Sequence, residues 1–310
     1  MLEIITLSVA LAISLFIVIK SAGYAIIHST RLAEWLNLPN YVIGFLIVAV
    51  ISILPETFIA INSALEGVPS FGLGTLFGSN VADLSLVFAI VILFSKHNLK
   101  VESKTIRERF FYVSILIVPI LFGLNGEYTR NEGIILVVLG VLFYFFVLRK
   151  SMSEPPKTRE KFSYRGLFLL LLNMGFLLLG AHFTVEFGVN LANVLKIHPI
   201  LIGMFVVGLG TTLPELFFSI KAAKKDHDGL ALGDILGTVV ADATIVIGIV
   251  AMITPFSFNP RIIYITGIAM ILAIILLIHF MKTDRELTKK EAIFLILFYC
   301  AFVCAELLVP

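Results

Sequence analysis

The chain repeats itself at a fixed offset, and the repeated parts carry carboxylates inside apolar segments. LPET at 54–57 returns as LPEL at 213–216, and GSNVAD at 78–83 as GTVVAD at 237–242, each 159 residues later without a gap. Aligning 36–95 with 195–254 gives 19 identities in 60 positions, among them Gly44/Gly203, Pro55/Pro214, Glu56/Glu215, Gly78/Gly237 and Asp83/Asp242. Hydrophobic residues make up 59% of the 310 and charged residues only 14%, which leaves too little polar sequence to cover a soluble fold. Duplicated acids inside such a chain point to cations passing a site at the interface of two membrane-embedded repeats.

Apolar runs of about 20 residues, the length that crosses a bilayer, recur along the chain. Ten are read at 3–27, 40–65, 69–94, 110–126, 131–148, 166–191, 198–220, 229–254, 260–281 and 292–309. The expected fold class is an all-α membrane protein of ten transmembrane helices in two five-helix repeats, 1–148 and 166–310, joined by a linker at 149–165. Alternate connections, starting after the first span, hold 19 of the 23 Lys and Arg; the opposite side holds Arg130, Lys196 and Arg261, and Lys20 lies within the first span. That asymmetry places the basic loops and the linker in the cytoplasm and both termini outside. Five spans per repeat is an odd number, so the repeats are expected to be inverted. The first segment carries Glu3 and no basic leader, so a retained span is expected rather than a cleaved signal. Topology accounts for the basic loops without a nucleic-acid partner, and the lack of a large cytosolic loop suits a prokaryotic inner membrane. Cys300 and Cys304 are too few for a disulfide framework or a zinc site.

Pro55 and Pro214 fall in the middle of the second and seventh spans, where each removes a backbone N–H and clashes with the preceding turn. The helices should break there, baring carbonyls at 50–52 and 209–211 that suit a hard cation. An acid follows each proline. A buried Asp costs about 2.5–3.5 kcal/mol at a helix centre, so Glu56, Asp83, Glu215 and Asp242 together would cost about 10 kcal/mol unpaired. No intramembrane Lys or Arg matches them, since Lys20 is expected to snorkel to the inner surface, so cations or protons must neutralise them. Gly74/Gly78 and Gly233/Gly237 form G-x-x-x-G grooves, each followed by a hydroxyl, Ser79 or Thr238, and one turn later by Asp83 or Asp242.

These paired motifs, LPE followed by GS(N)xxAD, resemble the cation/Ca²⁺ exchanger superfamily over nearly the whole chain, nearest its prokaryotic-type Na⁺/Ca²⁺ exchanger branch. The resemblance implies a secondary-active antiporter, not an enzyme, without a cofactor, whose partners are inorganic cations and the bilayer. Carried over by position, the motif glutamates are Glu56 and Glu215, the hydroxyls before them Ser52, Thr211 and Thr212, the motif serines Ser79 and Thr238, and the polar residues one turn on Asp83 and Asp242. The glutamates are expected to hold a divalent ion, the aspartates to serve as second ligands or charge compensators, and the hydroxyls to line monovalent sites.

The chain departs from the family pattern at several places. GTSLPE is usual in the first motif; here Ile51, Ser52 and Ile53 precede LPE, while the second repeat keeps GTTLPE. Ile53 offers no oxygen, which should weaken one Na⁺ site. The Asn that often follows the first motif glycine is Thr75 in one half and Asp234 in the other, and Asp stands at both 83 and 242. His182 and Glu186, spaced i, i+4, read as a helix-end hydrogen bond or as a pH-sensitive pair near the external entrance; the first reading is adopted. Two counter-ions stay open: the LPE motif type favours Na⁺ exchange for Ca²⁺, whereas Ile53 and the doubled aspartates favour H⁺. An intramembrane aspartyl protease is set aside because Ala231, Leu232, Gly233 and Asp234 lack the first glycine of G-x-G-D and position 75 is Thr. No phosphate-binding loop supports nucleotide-driven transport.

Overall fold

The computed structural model describes residues 2–35, 53–101, 109–149, 163–224, 226, 228–282 and 285–308. The first half of the predicted second span, with Ser52, lies outside the described residues. Among the described residues, eleven helices follow in order: α1 (Leu2–Trp35), α2 (Leu54–Leu65), α3 (Pro69–Phe94), α4 (Arg109–Gly123), α5 (Arg130–Arg149), α6 (Tyr164–Leu195), α7 (199–211), α8 (Leu213–Ala223), α9 (228–253), α10 (Ile263–Lys282) and α11 (Lys289–Leu308). Seven units among the described residues are long and apolar enough to cross a bilayer: α1, α3, α6, α7 with α8, α9, α10 and α11. The expected count of ten is not reached by this measure: α4 is a shorter apolar helix, α2 is described only from its motif onward, and α5 is not among the seven.

Burial separates a core pair from its surround. In α3 and α9, which carry the repeated G-x-x-x-G segments, 83% of the spanning window is buried, against 22% in α1 and 28% in α11. The outer faces of α1 and α11 show Ile5, Ile13, Phe294 and Leu297, as lipid-facing helices require. Small residues let backbones close up where α3 crosses α7. A Cβ on Gly78 would come within 2.8 Å of the Met204 carbonyl oxygen, one on Gly74 within 2.5 Å of the Ile200 carbonyl, and one on Gly203 would strike the Phe71 carbonyl. The motif grooves thus act as packing surfaces that bring a first-half helix onto a second-half helix.

The repeat continues in the backbone where sequence identity fades. Gly67 and Asp226, 159 residues apart, both adopt positive φ (75° and 61°), and so do Gly126 and Arg285 (81° and 57°). Thr129 with Glu132 and Thr288 with Glu291 form capping boxes at the same offset; each glutamate accepts from its threonine's amide and hydroxyl. Two short antiparallel ladders link the halves reciprocally. Strand β1 (Leu99–Lys100) pairs with β4 (Glu286–Leu287), and β2 (Glu127–Tyr128) with β3 (Phe256–Ser257).

The α3–α7 crossing yields a test with an internal control. Gly203→Ala must push the helices apart and should lower stability by about 1–3 kcal/mol. Gly175→Ala in α6, where a Cβ meets nothing within 4 Å, should not. Thermal unfolding of both variants in detergent measures the difference.

Candidate cation site

The prolines act by starting helices. Pro214 lies in the first turn of α8 and Pro55 in the first turn of α2, where the missing N–H would have had no intrahelical partner. Thr212 (φ −75°, ψ −8°) separates α7 from α8. Of the carbonyls expected bare at 209–211, Leu209 O accepts from Thr212 Oγ1 at 3.0 Å; one residue earlier, Gly208 O accepts from Thr211 Oγ1 at 3.0 Å. In α2, Thr57 Oγ1 donates to Ile53 O at 2.7 Å. The segment 50–52 lies outside the described residues. A hydroxyl that gives its proton to a carbonyl keeps its oxygen lone pairs for another partner.

Glu56 and Glu215 then stand in the first turn after each break, and Asp83 and Asp242 lie within α3 and α9. Glu56, Asp83, Glu215 and Asp242 are all at most 1% exposed. They share one region: Glu215 lies within electrostatic reach of Glu56 and Asp83, Asp242 reaches the same two, and Thr211 lies beside the Glu56 carboxylate. Among the described residues, neither oxygen of Asp83, Glu215 or Asp242 has a hydrogen-bond partner, and Oε2 of Glu56 has none. That is seven unpartnered carboxylate oxygens, within the six to eight that a hard divalent cation takes. In this conformation no three acidic, histidine or cysteine side chains among the described residues close into one ligand group. Ser79 and Thr238 are buried with them, and Ser79 Oγ donates to Leu76 O at 3.0 Å.

A second buried acid shows how the fold treats a structural carboxylate. Glu306 in α11 is paired with Arg261 (3.5 Å) and accepts from the Thr266 hydroxyl. The central acids have no such provision. Leaving buried carboxylates unpartnered costs several kcal/mol each, so their place here calls for a bound cation or proton.

Three features were missed from the sequence. Both aspartates open a π-helical turn, Asp83–Val87 and Asp242–Val246. Two residues on, Ser85 donates to Val81 O and Thr244 to Val240 O, again at the 159-residue offset. Hydroxyls that bond back four residues distort helices, so the matched Ser85/Thr244 pair was the available signal. Asn80 is fully buried with both amide atoms unpartnered. Asp234 is 1% exposed, and among the described residues its hydrogen bond is a long one from Ser219.

One expectation is corrected. His182 pairs with Glu66 (Nδ1–Oε1 3.0 Å), in the turn after α2, rather than forming a bond within its own helix. Burial pushes the Glu66 carboxyl up, His182 pulls it down, and Glu186 pushes it up. The i, i+4 spacing to Glu186 was misleading because α6 packs against α2 along this face.

Membrane-buried acids without cationic partners, beside broken helices, define a membrane cation transporter. Comparison with known proteins narrows the class. A sequence model of the sodium/calcium exchanger protein family matches residues 6–149 and 165–308. The sodium/calcium exchanger MaX1 of Methanosarcina acetivorans is 23% identical, covering 94% of this chain and 96% of that protein. The inner membrane protein YrbG of Escherichia coli is 26% identical, covering 81% of each. Structures of the sodium-calcium exchanger NCX_Mj share the fold; one soaked with 2.5 mM Na⁺ and 10 mM Sr²⁺ gives a TM-score of 0.71 at 22% identity, covering 97% of this chain and 99% of that one. The chain belongs to the sodium/calcium exchanger family, of prokaryotic type, and is an integral membrane cation exchanger rather than an enzyme.

Unpartnered acids should make the ion-free protein less stable than it need be. Asp83→Asn and Asp242→Asn are each expected to stabilise it by about 1–3 kcal/mol and to reduce its further stabilisation by Ca²⁺. Melting curves with chelator and with added Ca²⁺ test both halves of this expectation.

Proposed function

We propose that the protein exchanges Ca²⁺, or a similar divalent cation, for Na⁺ by alternating access at one carboxylate site near the bilayer midplane. The observation that carries this reading is the set of four motif acids buried with seven oxygens unpartnered. Glu56 and Glu215 act as the divalent ligands and Asp83 and Asp242 as second ligands or charge compensators. Ser52, Thr211, Thr212, Ser79 and Thr238 supply oxygens for Na⁺. The halves are read as inverted five-span repeats, with the basic loops and the linker cytoplasmic and both termini outside. The reciprocal ladders and the duplicated positive-φ turns support that reading.

Alternating access is assigned to the α1–α6 pair. The two helices pack along each other, with Thr184 of α6 donating to Ser14 of α1 at 3.0 Å. Beside them the halves differ. Gly188 of α6 abuts Phe71, and His182 holds Glu66, so the side towards α2 is closed. A cavity of about 550 Å³ lies between α1 and α8, lined by Phe16, Lys20, Tyr24, Pro214, Phe217 and Lys221. In the proposed orientation this is an inward-facing arrangement, and sliding α1–α6 would exchange the open side for the closed one.

H⁺ coupling is the second reading, favoured by the absence of an oxygen at Ile53 and by acids at both Asp83 and Asp242. Liposomes loaded with Na⁺, or set with an outward H⁺ gradient, separate the two through ⁴⁵Ca²⁺ uptake. Uptake driven by Na⁺ and insensitive to collapse of the pH gradient is expected; uptake driven only by H⁺ would replace the Na⁺ reading. Glu56→Gln and Glu215→Gln should each abolish uptake, and activity in either would refute the shared site. Ile53→Ser should steepen the Na⁺ dependence by restoring a hydroxyl.

A further inference from the structure

We infer that Asp234 and Ser219 form an additional cation subsite, suited to Na⁺, between the central acids and the basic turn at the end of α8. Ser219 lies four residues beyond Glu215, on the same face of α8 and one turn nearer Lys221 and Lys224. Its hydroxyl is 3.3 Å from Oδ2 of Asp234 and 3.4 Å from the Ala231 carbonyl oxygen. Ser219 is 0% exposed and Asp234 1%, and Oδ1 of Asp234 has no hydrogen-bond partner. For O–H···O bonds these separations are long. They match the edges of an oxygen shell: ligands about 2.4 Å from a hard cation in octahedral array stand about 3.4 Å apart. One carboxylate with a hydroxyl and a carbonyl brings a single negative charge, the complement of a monovalent ion. Asp234 also acts electrostatically on Asp83 and Glu215, so a cation held there would be coupled to the central site.

The subsite is one-sided. The counterparts 159 residues earlier are Ala60 and Thr75, and Thr75 donates its hydroxyl to Phe71 O at 3.1 Å, so no carboxylate stands in that half. The same half lacks an oxygen at Ile53. The chain therefore lacks a monovalent ligand in one repeat and carries an extra carboxylate in the other. The inference rests on the Na⁺-coupled reading above for its transport consequence, but not for its binding test.

Titration of Na⁺ into the purified, Ca²⁺-free protein reads the subsite apart from exchange, and ⁴⁵Ca²⁺ binding without Na⁺ reads the divalent site. Asp234→Asn is expected to remove one Na⁺ from the binding stoichiometry or to raise the half-saturating Na⁺ concentration about tenfold, with the number of Ca²⁺ ions bound unchanged and Ca²⁺ affinity falling less than Na⁺ affinity, through the lost charge alone. Ser219→Ala should shift the Na⁺ curve the same way by about threefold, and it decides the matter should Asp234→Asn fail to fold. Superimposable Na⁺ curves overturn the inference. An equal loss of Ca²⁺ affinity in Ser219→Ala, which removes no charge, also overturns it, by making the pair part of the divalent site. Absence of any Ca²⁺ exchange by the unaltered protein would defeat the proposed function, yet the Na⁺ titration would still decide the subsite.

Discussion

Burying carboxylates in a low-dielectric interior without a cationic side chain beside them is the constraint on which this structure depends. Each such group is expensive, and the fold shows at Glu306 that it can supply an arginine and a hydroxyl where an acid is structural. At Glu56, Asp83, Glu215 and Asp242 it supplies neither a Lys nor an Arg. The rest of the architecture holds that unfavourable set in place. The two acid-bearing helices α3 and α9 are the most deeply buried spans, and glycines draw α7 onto α3 closely enough to bring the halves together.

Backbone geometry at the site follows from the same constraint. A proline in a helix interior would free carbonyls into the bilayer, but a proline in a first turn frees nothing. Ending α7 at Thr211 and restarting at Leu213 turns an obstacle into a helix start that points Glu215 into the core. Leu209 O at the break is taken by the Thr212 hydroxyl and Gly208 O by that of Thr211, and both hydroxyl oxygens keep lone pairs for a cation. In the partner helices, Ser85 and Thr244 bond back four residues and widen the turn that each aspartate opens. Hydroxyls thus do two jobs, shaping helices and presenting oxygen.

Much of this was legible in the sequence because the repeat is gapless and its acids sit in apolar runs. The third span, read as 69–94, has the same bounds in the structure, since glycine and alanine packing makes α3 uniformly apolar apart from its motif. The central acids were legible for the same reason. The π turns were not, because a one-residue widening leaves no periodic signature, and only the Ser85/Thr244 match hinted at it. Nor were the duplicated left-handed turns: Gly67 announces positive φ, but its counterpart Asp226 does not. The partner of His182 was missed because spacing along one helix reports only that helix, whereas Glu66 arrives from the end of α2. The proline break was legible, but its effect on the carbonyls was not, because that depended on which way two threonine hydroxyls turned.

Where the repeats differ matters as much as where they agree. Two identical halves, inverted, would give a site with no preferred side. Here the symmetry is broken at named positions: Ile53 against Thr212, Thr75 against Asp234, Ala60 against Ser219. Lys221 at the end of α8 corresponds to Asn62 in α2, so the cavity mouth beside α8 carries a positive charge that its counterpart lacks. On the proposed path past α8, a cation leaving the central acids meets the Asp234 carboxylate and then the Lys221 rim, whereas the end of α2 carries Glu66 paired with His182. On the proposed exchange function, the paired motifs set what is carried, and these few unpaired residues set how differently the two sides of the membrane treat it.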